Sequence, residues 1–146
     1  MEHAWELLTL IVAGLFAGGA VYVLIAEHPG RVEAGIRVAL AQFPGSYRRA
    51  APLQGGCALL APVAGVVAAF ASGNWLWALA GGCVGAAIPL TLLVIAPVNA
   101  QLMSKPERLT EDDARALFAS WARLHALRTV LGLSGFIVAA AVAVAG

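Results

Sequence analysis

Charge is what this chain has least of. Only 12% of its 146 residues are Asp, Glu, Lys or Arg, against 61% hydrophobic ones. Its mean hydropathy is +0.85. A soluble domain of this size needs far more polar surface, so the composition excludes that class and indicates one compact integral membrane domain. Cysteine is scarce too. Cys57 and Cys83 lie in apolar segments, at a spacing that makes neither a metal motif nor a secreted disulfide framework. They read as small buried hydrophobes. The chain has no Gly-rich phosphate loop, no Ser or Cys nucleophile in an elbow and no nucleic-acid motif. A basic n-region is missing from "MEHAWE", so the first apolar run is expected to stay attached as a span.

What is present follows from where charge is absent. No charged residue occurs from Leu7 to Ala26, from Ala50 to Ser104, or from Thr129 to Gly146. Roughly 20 apolar residues cross a bilayer. The first run holds one span, and the second holds two joined by the turn "ASGNW" at Ala71 to Trp75. The third run holds one more. The expected fold is all-α: a four-helix transmembrane bundle with an interfacial amphipathic segment and a long protruding fourth helix. It is a single domain over 1–146, with spans at about 7–27, 53–71, 75–96 and 124–144 and hydrophilic segments at 28–52 and 97–123. All nine Lys and Arg fall in those two segments or just inside the fourth span. The positive-inside rule therefore places both segments in the cytoplasm, with the termini outside an inner membrane.

Local signals refine this outline. Gly14 and Gly18 form a GxxxG that suits close helix packing within the bundle, or a homo-oligomer seam through small-residue faces. Pro29 is expected to end the first helix or set a turn. Val32, Ile36, Ala39, Leu40 and Phe43 recur at helical spacing, as in a short helix at the interface, which Pro44-Gly45 then breaks. Pro62 and Pro89 should kink their spans. Trp75 and Trp77 fall where an outer aromatic belt would lie. Thr110 is a good N-cap, with Asp113 at the third position, for one helix from Glu111 to near Val144.

Polar residues gather at one level. Glu27 and His28 end span one, Gln54 begins span two and Asn99 ends span three. Trp121, His125 and Arg128, at i, i+4 and i+7, share one face at the start of span four. Arg31 and Tyr47 sit in the adjoining hydrophilic segment. A plainer reading is a belt of helix-end groups, with arginines snorkelling to phosphates. Arg128 argues against it, because a centrally buried arginine costs about 2.5–3.5 kcal/mol. Glu27 is its expected partner. His28 and His125 are also candidate metal or haem ligands, although no HxxH or HxxxH spacing supports them.

"EHPGR" at 27–31, "YRRAAPLQ" at 47–54, "PVNAQL" at 97–102 and "WARLHALRTVLGL" at 121–133 resemble the anthrone oxygenase-like family of small four-helix membrane proteins. That resemblance implies oxidation of a hydrophobic aromatic or quinone-like molecule by dioxygen, without an added organic cofactor. An anthrone has an acidic methylene. His125 or His28 is the expected base, and Arg128 or Asn99 the group that stabilises the enolate oxygen. Glu27, Arg31, Tyr47, Gln54 and Trp121 complete the expected substrate site. The expected partners are the lipid bilayer and a hydrophobic small molecule. The competing functions are a non-catalytic membrane subunit and a haem- or metal-binding membrane protein. The orientation is open to a direct check with membrane-impermeant thiol reagents on intact cells. A single cysteine placed near Lys105 is expected to stay shielded and one near Glu2 to react; labelling at 105 would reverse the topology.

Overall fold

In a computed structural model, residues 3–104 and 106–145 are described; Glu2 and Lys105, on which the labelling expectation rests, lie outside them. Four helices are long and apolar enough to cross a membrane: α1 (Ala4–Glu33), α2 (Ile36–Ser72), α3 (Leu76–Met103) and α4 (Glu111–Ala145). They form a transmembrane bundle in which α1 packs on α2 and α4, and α3 packs on the same two helices. Side chains such as Leu15, Ile25, Phe70 and Leu93 are exposed on the outside, as a lipid-facing surface requires.

The turns are made by the residues the sequence offers for them. Gly35 (φ 112°) joins α1 to α2, and Gly73 (φ 72°) closes α2; both lie in the half of φ space that favours glycine. Asn74 Oδ1 then accepts from the Leu76 amide at 3.1 Å to start α3. At the start of α4, the Asp113 amide donates to Thr110 Oγ1 at 3.1 Å and the Thr110 hydroxyl donates to Asp113 at 2.6 Å. This reciprocal cap gives the fourth helix its expected start, and it runs unbroken to Ala145.

Several prolines behave differently from expectation. Pro29 does not end α1, and Pro44 does not break α2, which continues through Pro44, Pro52 and Pro62. Neighbouring helices supply enough packing to tolerate the lost backbone bond. In α1 and α3 a π-turn precedes the proline. Val23–Glu27 is a π-turn, with the His28 amide donating to Val23 O, and Pro29 follows. Thr91–Ile95 is another, with the Ala96 amide donating to Thr91 O, and Pro97 follows. A proline ring clashes with the carbonyl four residues back. The wider π-turn moves that carbonyl away.

Three apolar clusters are stacked along the bundle axis. At the basic end Ile36, Ala39, Leu40 and Phe43 of α2 pack on Leu102, Ala114, Phe118 and Trp121. The apolar face of 36–43 is therefore buried as its spacing predicts, but against α3 and α4. The segment is the opening of α2 and accompanies the protruding start of α4; Arg37 and Glu111 pair across them at 3.8 Å. The middle cluster joins Val12, Phe16, Ala58, Ala61, Val84 and Ala87. The far cluster includes Ala68, Ala80, Ala139 and Trp77. Trp77 is thus a core residue, while Trp75 is exposed.

Small residues set the helix spacing, and half of the expected GxxxG takes part: a Cβ on Gly14 would come within 3.2 Å of the Phe136 ring on α4. Gly18 is exposed, and a Cβ there would meet nothing within 4 Å. A Cβ on Gly65 would strike the Trp77 carbonyl and come within 3.2 Å of Gly81, so α2 and α3 approach backbone to backbone. On α4, Gly132 lies against Phe16 and Gly135 against the Ala80 carbonyl. Gly65→Ala is expected to destabilise the bundle by about 1–3 kcal/mol, as overpacking does. Gly18→Ala should be neutral or slightly stabilising through helix propensity. Thermal unfolding of the two variants in one detergent compares them; equal midpoints would refute the assignment of the close contact.

Candidate functional site

Between the basic-end and middle clusters the helices leave a cavity of about 550 Å³. All four contribute to its wall. Beyond Gly85, which lies against the ring of Pro62, α3 turns at Ala86 and passes Pro89 and its π-turn. The cavity lies alongside this departure from regular helix. Phe16, Ala58, Leu59, Ala87, Ile88 and Leu92 line its apolar part. Glu27, Arg31, Ser46, Tyr47, Asn99 and Trp121 line its basic-end part, with Gln54, His125 and Arg128 between. Four lining side chains, Tyr22, Leu53, Leu59 and Leu92, are 61%, 57%, 63% and 66% exposed on the outer surface. The cavity therefore opens through the side of the bundle.

Eight of the nine residues expected at a site line this cavity; His28 does not. His28 is buried against Trp121 and Phe118, at ring separations of 5.2 and 5.9 Å. Its Nδ1 has no hydrogen-bond partner among the described residues. His28 adjoins Glu27 in sequence, and successive helix residues point in different directions. Glu27 takes the direction of the cavity, so His28 is removed from the candidate catalytic groups.

The expected Glu27–Arg128 pair does not form. Glu27 Oε1 accepts from Arg31 Nη2, from the Ser46 hydroxyl and, at 3.3 Å, from Gln42 Nε2. Arg31 is one helical turn on from Glu27, which is the natural spacing for an ion pair. The buried Arg31 guanidinium also lies over the rings of Phe43 (5.4 Å) and Trp121 (5.9 Å). Arg128 reaches elsewhere. Its Nη2 donates to Gln54 Oε1 at 3.0 Å and its guanidinium carbon is 5.4 Å from the centre of the Phe16 ring. Gln54 Nε2 in turn donates to Phe16 O at 3.3 Å. The Gln54 amide occupies the space a Cβ on Gly19 would need.

The remaining polar groups are held equally firmly. The Trp121 and His125 rings stack, 4.8 Å apart and 6° from parallel. Trp121 Nε1 donates to Asn99 Oδ1 at 2.8 Å. Indole N–H is a donor only, so this bond fixes the Asn99 amide with its –NH2 still free to donate. His125 Nε2 is 3.0 Å from Ala20 O. A carbonyl oxygen only accepts, so Nε2 carries the proton and Nδ1 is the acceptor of the neutral ring. Ala20 lies just before the π-turn of α1, and such turns often coincide with functional sites. His125 is 3% exposed, so it is buried inside the bundle and is not one of a belt of solvated helix-end groups.

Among the described residues no three His, Cys, Asp or Glu side chains gather as a metal site. His28 and His125 are each packed on Trp121 and have no third donor beside them. The described residues therefore offer no three-donor metal set.

The sequence model of anthrone oxygenase matches residues 43–138, well over half of the chain. The chain belongs to the anthrone oxygenase family. No curated protein and no solved structure matches it. Within this family member the matched range holds Tyr47, Gln54, Asn99, Trp121, His125 and Arg128. The "EHPGR" resemblance, with Glu27, His28 and Arg31, lies before it.

Residue spacing gave no signal for Ser46, Phe43 or Phe16 as site groups, because each becomes part of the wall only through the crossing of helices. Gly19 carried a faint signal as a small residue in "AGGA". The re-paired charges give a clear expectation. Double-mutant cycles in thermal unfolding should show about 0.5–3 kcal/mol of coupling between Glu27 and Arg31, as for residues in contact. Glu27 and Arg128 should add within ~0.5 kcal/mol. The reverse result would restore the discarded pair.

Proposed function

We propose that the chain is a membrane-embedded oxygenase-like enzyme acting on a hydrophobic aromatic or quinone-like molecule. The observation that carries this reading is the cavity itself. Its size is that of a small-molecule site, apolar in one part and polar in the other, and it opens on the lipid-facing surface. A membrane-dissolved ring system can enter sideways, leave its body among Phe16, Ala58 and Leu92, and present its oxygen-bearing edge to the polar groups. The nine cations favour the cytoplasmic face of an inner membrane for the polar end.

The chemistry is read from the groups present. His125 Nδ1 is the free acceptor and is the candidate general base. It removes a proton from an acidic ring methylene, and the electron pair moves onto the ring oxygen as an enolate. The Asn99 –NH2 and the Arg128 guanidinium are the donors available to that oxygen. Dioxygen is the oxidant. The methylene carbon loses two hydrogens and gains one oxygen atom as a carbonyl, while the second oxygen atom leaves as water. The electron-rich enolate is what makes the carbon reactive towards dioxygen.

Anthrone itself is a suitable probe, with oxygen uptake and anthraquinone formation as readouts. His125→Gln tests the base, because a glutamine amide can keep a donor to Ala20 O while lacking the imidazole acceptor. It should lower turnover by about 10²–10⁴-fold, the usual contribution of a positioned acid–base group, while the protein stays folded. Undiminished turnover in His125→Gln would remove the histidine from the mechanism.

A further inference from the structure

We infer that the cavity takes its hydrophobic ligand as an anion: an amphiphile with one oxyanion group docked on Arg128 and its apolar body towards Phe16 and Leu92. This rests on the reading of the cavity as a ligand site, and not on the oxidation chemistry. It begins from the charges in the wall, which among the described lining residues are Glu27, Arg31 and Arg128. Glu27 and Arg31 pair directly and cancel. Arg128 is left over. It donates to the neutral Gln54 amide and lies over the face of Phe16, and its Nε is buried with no hydrogen-bond partner among the described residues. No described carboxylate lies within 4 Å of it; the ion pairs found among the described residues are His3–Glu6, Glu27–Arg31, Arg37–Glu111 and Arg115–Glu111.

A guanidinium is permanently charged and presents five donors in a planar fork that suits a carboxylate or similar oxyanion. Arg128 is also three residues deeper along α4 than His125, about 4.5 Å further from the basic end. A snorkelling arginine would turn outward to the headgroups. This one turns inward, across the bundle from α4 to Gln54 on α2 and Phe16 on α1. Cations held inside a membrane bundle face its interior or a cavity, pair there with other groups, and mark ligand or ion sites. No described carboxylate pairs with Arg128, so the ligand supplies the opposite charge. Arg31 Nε is buried without a partner among the described residues as well, but Arg31 does not compete for this role, since its charge is answered by Glu27 and its Nη2 also reaches Ser46.

The test uses the detergent-solubilised full chain and a matched pair of fluorescent tricyclic probes, anthracene-9-carboxylate and its methyl ester. The acid is expected to bind about tenfold or more tighter than the ester, as for a charge-assisted hydrogen bond. Arg128→Gln should weaken the acid to the level of the ester and leave the ester unchanged, while Arg128→Lys keeps part of the preference. Equal binding of acid and ester by the unmodified protein, a comparison that needs no variant to fold, overturns the inference. So does an acid preference that survives in Arg128→Gln. Competition with nanodiscs of phosphatidylglycerol against phosphatidylcholine separates two sources of the anion. Displacement of the acid by phosphatidylglycerol alone assigns the Arg128 contact to a lipid headgroup, and displacement by neither assigns it to a smaller acid. Saturable binding of the acid without oxygen uptake from anthrone would leave this inference standing and remove the oxygenase reading. No saturable binding of either probe overturns both.

Discussion

A bilayer core has no water to satisfy a polar group, so a polar side chain inside the bundle has to be answered by protein or by a bound ligand. The polar level of this protein is arranged around that requirement. Asn99 answers Trp121, Gln54 links Arg128 to the Phe16 carbonyl, and the Ala20 carbonyl accepts from His125. Each bond joins two different helices. The same bonds that relieve the cost of burial therefore fix the helices' relative rotation, and with it the direction each group faces. A site built this way is stiff before any ligand arrives, which is the condition for positioned donors to act on a developing charge.

The opposite end of the bundle makes this possible by holding the helices together without polar bonds. Gly65 and Gly81 bring the α2 and α3 backbones into contact, and Gly135 does the same between α4 and α3. Lipid tails are as apolar as leucine, so this close van der Waals fit is what association in a membrane rests on. With one end closed by small residues, and the other by the Phe43, Phe118 and Trp121 cluster, the middle can stay open. The cavity is the region that neither fit reaches.

The four spans, the turn at Gly73 and the capped start of α4 were legible in the sequence because each depends on residues close together along the chain. So was the identity of most cavity-lining polar groups, since charge-free runs fix the level at which polar residues must appear. Pairings were not legible. Glu27 and Arg128 stand at neighbouring depths, but which of two arginines meets a carboxylate depends on helix rotation, and periodicity does not reveal the rotation of one helix against another. His28 was misplaced for a related reason: adjacent residues share a depth and not a direction. The prolines misled because a packed membrane helix carries them without breaking, widening ahead of Pro29 and Pro97 and staying α-helical through Pro44.

That widening occurs twice, before Pro29 and before Pro97, on the two helices that face each other diagonally across the cavity. Each π-turn holds one residue more than an α-turn. Deleting that residue would restore regular winding and swing everything beyond it by about 100°, one residue's share of a turn. Glu27 and Arg31 lie within or beyond the first, and Asn99 beyond the second. The small-residue contacts lie on the other side of both. The bundle thus has two swivels: the polar lining of the cavity can be re-aimed by a single-residue change in length, while the glycine-mediated grip at the far end keeps its register.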